Sequence, residues 1–277
     1  MTQITHSLLK FRKPLVFDKT INMAKEIDDQ WVLAPSQPCL RSAQVHLWRA
    51  DLELPAPQMQ FLAKFLSIDE QKRAARFRFD RDRHHFTVGR GLLRWILSKY
   101  LMIPPQELQF DYEAKGKPLL APSCNPGQWQ FNLSHSQGMA LYAISQQQRV
   151  GVDLEQIRTI ATDQLAARFF TTQEAAHLTN LPPDQKELAF FRYWTCKEAY
   201  LKACGDGLVG LDQVEIGLAD PVQLLKVGRD RVDRWYLKEL SPHPGYAAAL
   251  AIAGKNPELI YWQFSPNHHL NNLDEVP

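Results

Sequence analysis

Two long stretches of helical spacing, roughly residues 82–101 and 184–204, dominate the chain, and each is followed by a run of short apolar strands. In the first stretch Phe86, Leu93, Ile96, Leu97 and Tyr100 form a buried stripe, and Pro104-Pro105 forbid its continuation. The second stops at Gly205, a residue suited to a left-handed C-cap. Ser67 with Glu70, and Thr171 with Glu174, read as capping boxes that start shorter helical segments. Further helices are expected near 59–66 and 162–169. Strands are expected near 45–52, 108–112, 129–134, 139–144 and 149–155, then near 213–217, 234–240, 246–252 and 259–264. Helices followed by meandering strands, twice over, imply an α+β protein of two similar lobes. The expected layout is an extension over 1–43, an N-terminal lobe over 44–148, a C-terminal lobe over 149–265 and a polar tail over 266–277.

A chain of 277 residues with 45% hydrophobic and 22% charged residues has the composition of an ordinary globular protein. Cys39, Cys124, Cys196 and Cys204 show no CxxC spacing and read as reduced thiols. The start of the chain lacks a signal-peptide pattern, and the small-apolar stretch Ala247 to Ala253 is far too short to span a bilayer. A cytoplasmic protein is therefore expected, with no membrane partner. With 32 basic and 30 acidic residues there is little net field, so composition does not argue for nucleic acid, and no such partner is expected. The basic residues are nonetheless clustered: Lys72, Arg73, Arg76, Arg78, Arg81, Arg83, Arg90 and Arg94 stand against only Asp80 and Asp82. Such a cluster either solvates a helix or binds phosphates.

Three segments carry chemistry. In Arg149-Val-Gly-Val-Asp-Leu-Glu155 apolar residues alternate with Gly151, Asp153 and Glu155, so the two acids point to one side of a strand and could share a cation. The plainer alternative is a pair of solvated acids on an edge strand. Trp194, Glu198 and Lys202 lie along one face of the second long helix. They make either a Glu198–Lys202 salt bridge beside a packed tryptophan, or a third metal ligand with a phosphate- or serine-contacting lysine. Three carboxylates without a nearby His or Cys cluster specify a hard cation such as Mg²⁺. In the third segment a Lys115-Gly116-Lys117-Pro118 turn could present backbone N–H groups and Lys117 to a phosphate, and Ser134 and His135 at a strand end could do likewise. A Ser/His hydrolase is excluded, because adjacent strand residues face apart and no G-x-S-x-G elbow exists. The pairs His84-His85 and His268-His269 read as surface or packing residues.

Together these segments resemble the surfactin-synthetase-activating type of 4′-phosphopantetheinyl transferases. The family is marked by a GKP turn, an FN-x-SHS strand, a GxDxE strand and a W-x-x-KE-x-x-x-K helix. Here they read Gly116-Lys117-Pro118, Phe131-Asn132-Leu133-Ser134-His135-Ser136, Gly151-Val152-Asp153-Leu154-Glu155 and Trp194-Thr195-Cys196-Lys197-Glu198-Ala199-Tyr200-Leu201-Lys202. Arg168-Phe169-Phe170 with Glu174 is similar to an RFF-x-x-x-E segment of the same family.

The resemblance implies a monomeric pseudo-dimer of two similar α/β lobes, with coenzyme A as co-substrate and acyl or peptidyl carrier proteins as partners. It implies that Asp153, Glu155 and Glu198 bind Mg²⁺, and that Glu198, Lys202 and Asp153 form the catalytic group. Coenzyme A contacts would come from Gly116, Lys117, Ser134, His135, Trp194, Lys197 and Lys202, with Arg73, Arg76 and Arg90 near the nucleotide end. Glu70 departs from the pattern, standing where the family often has a lysine. A non-catalytic module binding coenzyme A or carrier protein would keep these motifs but lack one metal carboxylate; all three are present.

Overall fold

The computed structural model describes residues 29–228 and 230–270. Most of the expected N-terminal extension and the end of the polar tail lie outside the described residues. The protein is α+β, and the chain divides into two compact units. The first takes Trp31–Asp111, Pro118–Gln148 and residues 257–270; the second takes Arg149–Asn256, with Tyr112–Lys117 and residues 29–30.

The first unit contains β1 (Val32–Leu33), β2 (Gln44–Asp51), α1 (Ala56–Ala63), α2 (Ile68–Ala75) and α3 (Asp80–Leu101). A small hairpin of β3 (Phe110–Tyr112) and β4 (Pro118–Leu120) leads to β5 (Trp129–Ser136) and β6 (Met139–Gln146). Helix α3 carries Asp80 and Asp82 in its first turn and Lys99 in its last, each favourable to the helix dipole. It ends where Met102 turns left-handed at φ 54°, just ahead of the proline pair. Its inner face, with Val88, Leu92, Leu93, Ile96 and Leu97, is fully buried against Trp48, Ala50 and Tyr142 of the sheet. Gly91 is required where α3 crosses α1, since an added Cβ would stand 2.7 Å from the Leu62 carbonyl oxygen.

The second unit contains β7 (Val150–Gln156), α4 (Thr162–Phe169), α5 (Thr172–Asn180) and α6 (Pro183–Cys204). The strands β8 (Val214–Gly217), β9 (Gln223–Val227), β10 (Trp235–Leu240) and β11 (Tyr246–Ala253) follow. Its main sheet is antiparallel with order β10-β11-β7. Both capping boxes form, Ser67 with Glu70 and Thr171 with Glu174. Helix α6 starts on Pro183 and is closed by Gly205 at φ 81°, as its sequence expects. It lies unusually close to β7: a Cβ on Gly151 would stand 2.1 Å from the Ala199 carbonyl oxygen.

One boundary differs from expectation. The last strand, β12 (Glu258–Gln263), pairs in parallel with β2 and so belongs to the first unit rather than to a C-terminal lobe reaching residue 265. That sheet has the order β1-β12-β2-β6-β5. The partnership is fixed by register, with Gln44 Nε2 donating to Glu258 at 3.0 Å and Arg49 bonded to Gln263 at the other end. Alternation along a strand tells which face is buried but not which sheet it joins. β9 was also not marked by the sequence pattern; it is short and half exposed. Among the described residues no helix is long and apolar enough to cross a membrane.

Candidate active site

The register of β7 against β11 places Gly151, Asp153 and Glu155 opposite Ala251, Ala249 and Ala247. Those alanines belong to the core packed under α6, so the two acids face that helix. Small residues there leave room for carboxylates where larger ones would fill the layer. From α6 come Glu198 and, one turn on, Lys202.

Asp153 is buried, 3% exposed, and Lys202 Nζ lies 2.6 Å from its Oδ1 while donating to Val152 O at 3.3 Å. Burial works to lower the Lys202 pKa, but Asp153, Glu198 and Glu155 outweigh it, and the ammonium is held above its usual range. Glu198 is 7% exposed. Burial, and then the negative charges of Asp153 and Glu155, push its pKa up to about 8 against the pull of Lys202. Its Oε1 is buried without a hydrogen-bond partner. Glu155 leans toward Arg158, whose Nη1 is 3.4 Å from Oε2. The three acids thus share one electrostatic neighbourhood, built from a strand and a helix far apart in sequence.

Their donor set is all hard oxygen, and a buried carboxylate oxygen lacking a partner beside two like charges is a place a divalent cation would satisfy. The residues therefore fit Mg²⁺ by chemistry. Among the described residues no three acidic, histidine or cysteine side chains stand together as a finished metal cage. Asp153 meets the Lys202 ammonium.

Several residues expected at a coenzyme are engaged within the fold. Lys197 is fully buried: its Nζ lies 2.5 Å from Glu174 and donates to Leu211 O at 2.8 Å and Val214 O at 2.5 Å. Its position next to Glu198 puts it on a different helical face, toward the core and α5. Trp194 is 4% exposed, stacked on Phe190 at 5.9 Å and edge-on to Phe169 at 5.6 Å. Arg90 is also buried, its Nε 2.6 Å from Glu70 Oε1, while Arg94 Nε meets the other oxygen at 2.7 Å. Both guanidiniums lie 4.9 Å from the Phe110 ring. This explains Glu70: as third residue of its capping box it serves the Ser67 N–H, and it neutralises two arginines.

Lys117 is likewise engaged, by two backbone carbonyls. Its Nζ donates to Lys202 O at 2.7 Å and to Val150 O at 3.3 Å, and burial lowers its pKa to about 8. Gly116 sits at φ 83° with open space around it. Arg73 lies over the Phe86 ring at 5.2 Å, and Arg76 is exposed. Ser134 is buried and His135 half-buried on opposite faces of β5; Arg73, Arg76, Ser134 and His135 belong to the first unit, while the acids belong to the second. The sequence pattern alone does not mark Arg158, which lies beside Glu155, or Glu113, whose charge acts on Lys117. It also left unread the closeness signalled by Gly151, since a glycine inside a strand marks tight backbone approach.

Two family models match the chain. Residues 149–251 match the 4′-phosphopantetheinyl transferase superfamily, and residues 54–147 match the 4′-phosphopantetheinyl transferase N-terminal family. The chain is 45% identical to the 4′-phosphopantetheinyl transferase HetI of Nostoc sp. (strain PCC 7120), over 84% of this chain and 98% of that protein. It is 31% identical to the 4′-phosphopantetheinyl transferase psf-1 of Bacillus pumilus, over 70% of this chain and 81% of the relative. With the 4′-phosphopantetheinyl transferase Sfp of Bacillus subtilis it shares 27% identity over 73% and 89% of the two chains. Likeness at this level along nearly the whole of a relative, with a model matching each half, means that the chain belongs to the 4′-phosphopantetheinyl transferase family.

Proposed function

We propose that this chain moves the 4′-phosphopantetheine arm of coenzyme A onto a serine of an acyl, peptidyl or aryl carrier protein, with Mg²⁺, releasing 3′,5′-ADP. The observation that carries this reading is the buried Glu198 carboxylate, one oxygen unpartnered, facing Asp153 and Glu155 with Lys202 alongside.

In the reaction the serine Oγ forms a bond to the β-phosphorus, and the phosphorus–oxygen bond to 3′,5′-ADP breaks. When bound, Mg²⁺ would be held by Asp153, Glu155 and Glu198 and would neutralise diphosphate charge. Lys202 supplies further positive charge on the same side, and its pairing with Asp153 keeps the ammonium aimed rather than free to rotate. The serine proton needs an acceptor, and Glu198 takes it at a carboxylate oxygen. Glu198 can accept it only when ionised, and the Lys202 ammonium alongside favours that form, as a bound cation would. Gly151 contributes by absence of a side chain, letting the strand that bears two acids lie against the helix that bears the third.

The test is mass spectrometry of apo carrier proteins incubated with the chain, coenzyme A and Mg²⁺. A gain of one phosphopantetheine mass on the carrier serine is expected. No gain on carriers that another transferase loads under the same conditions would overturn the reading.

A further inference from the structure

The segment Tyr112–Lys117, which contains the turn from Glu113, groups with the second unit although the chain before and after it groups with the first. It is closed by its own backbone: the Gly116 N–H donates to Glu113 O at 2.7 Å, and the Glu113 N–H donates to Lys117 O at 2.9 Å. Its side chains then meet the C-terminal end of α6. The Glu113 carboxylate packs against Gly205, where an added Cβ would stand 2.2 Å from Oε2. The Lys115 stem packs against Gly207, 3.6 Å from where a Cβ would be. Lys117 goes further and crosses from the helix to the strand, donating to Lys202 O and to Val150 O.

The two carbonyls define a seam. Lys202 O is one of the last four carbonyls of α6, which a helix leaves without intrahelical partners. A cation placed there also answers the negative end of the helix dipole. On the strand side Val150 O takes Lys117, Gly151 makes the closest backbone approach, Val152 O takes Lys202 Nζ, and Asp153 Oδ1 takes the same ammonium. Four consecutive residues of β7 are therefore tied to α6, and the two lysines hold the two ends of that run.

We propose that Lys117 is a positioning residue: by tying the last turn of α6 to the first residue of β7 it sets Lys202 against Asp153. This role rests on the transferase reading above and assigns the lysine of the GKP turn to holding the acidic site together. Its ammonium is already committed to two carbonyls. Burial brings it to a pKa of about 8, so it is still charged at neutral pH. A misplacement of about 1 Å at reacting groups costs on the order of a hundredfold in rate, so a loosened seam is expected to lower turnover without weakening capture of coenzyme A.

The test compares the wild-type chain with Lys117→Met and Lys117→Arg by steady-state kinetics and by amide hydrogen exchange. For Lys117→Met, kcat is expected to fall about ten- to a hundredfold with KM for coenzyme A within about twofold. Lys117→Arg, which keeps charge and several donors, is expected to restore most of kcat. Exchange is expected to quicken at the end of α6, around residues 203–206, and at 150–152, and to recover in the Arg variant. A raised KM with unchanged kcat would identify a phosphate contact and overturn the proposal, as would no change in either constant. If Lys117→Met does not fold, Lys117→Gln, which retains a donor without charge, serves in the same comparison. If the wild-type chain loads no carrier, the transferase reading fails; the exchange comparison then decides the seam alone, and unchanged exchange at both segments sinks it.

Discussion

The two units use one frame and fill it differently. Each runs strand, long helix, strand, strand, with the last strand in the middle: β2, α3, β5 and β6 ordered β2-β6-β5, and β7, α6, β10 and β11 ordered β7-β11-β10. Both long helices have 22 residues. At the same point along each, a buried cation meets the glutamate of a capping box: Arg94 with Glu70 at 2.7 Å, and Lys197 with Glu174 at 2.5 Å. At the next position the helices part. The first has Trp95, packed among Trp48, Phe264 and His269; the second has Glu198 beside Asp153 and Glu155. One turn on, Lys99 lies over the Trp95 ring at 4.9 Å, whereas Lys202 lies on Asp153 at 2.6 Å. The shared elements hold both units together. What varies is whether the space between helix and sheet is spent on aromatic packing or on charge that a bound ligand would balance.

The largest expected effects test that division of labour directly. Asp153→Ala and Glu198→Ala are expected to reduce carrier loading to background; Glu198→Ala should leave the thermal midpoint unchanged or higher, because a buried carboxylate among like charges opposes folding, whereas Asp153→Ala strips Lys202 of its partner and should lower it. Trp95→Ala is expected to do the reverse, losing about 3–5 kcal/mol of stability through the cavity it leaves. The folded fraction should keep its kcat. Loading by either acid variant at near wild-type rate would break the comparison, and so would a Trp95→Ala protein that melts normally but turns over slowly.

The two fillings should also titrate in opposite senses. His46 of the first unit is buried, with its Nδ1 accepting from the Trp262 Nε1–H at 3.2 Å and lying 2.8 Å from the Tyr100 hydroxyl. Burial lowers its pKa from 6.5 to about 4, against a weaker upward pull from Glu258. The unfolded chain thus binds the proton first, and stability present above pH 6.5 is lost as pH falls toward 4. The loss is roughly 3 kcal/mol. Glu198 has a raised pKa, so its contribution is fully present below about 4.5 and is lost as pH rises through about 8. Urea midpoints measured across pH with divalent ions chelated should therefore fall at both ends. His46→Gln should flatten the acid side alone and Glu198→Gln the alkaline side alone. A single variant that flattens both would show that the two sites are not independent.

Much of this frame was legible because periodicity and end signals are local. The long helices, both capping boxes, Gly205 and most strands follow from spacing within a few residues. The acidic site was legible for the same reason, since alternation along Val150–Glu155 and helical spacing from Glu198 to Lys202 fix which side chains share a face. What stayed hidden depends on partners distant in sequence. Lys197 and Arg90 look like ligand-binding cations until Glu174 and Glu70 are found beside them; the clue available was that a capping-box glutamate has a second oxygen to satisfy. β12 carries the apolar run of a strand, Leu259 to Trp262, but nothing that names β2 as its neighbour. Lys117 reads as a phosphate hand because its motif is a turn, and only the fold reveals the α6 carbonyl waiting at its end.

The smallest expected effect is the most discriminating between the units. Lys99 and Lys202 stand at equivalent places on α3 and α6, so a general need for positive charge there would make the two substitutions alike. The environments say otherwise. Lys99 faces a ring, a contact worth about 0.5–1 kcal/mol at a partly exposed site, and nothing acidic pairs with it among the described residues. Lys202 is held by Asp153 and is drawn on by Glu198 and Glu155. Lys99→Met is therefore expected to shift the urea midpoint by less than about 1 kcal/mol and to leave kcat and KM at wild-type values. Lys202→Met is expected to cost at least about tenfold in kcat, the loss of the charged contact proposed to the reacting phosphate. Equal losses of turnover in two folded variants would mean that charge on α3 also serves the reaction, and the first unit could no longer be assigned to packing alone.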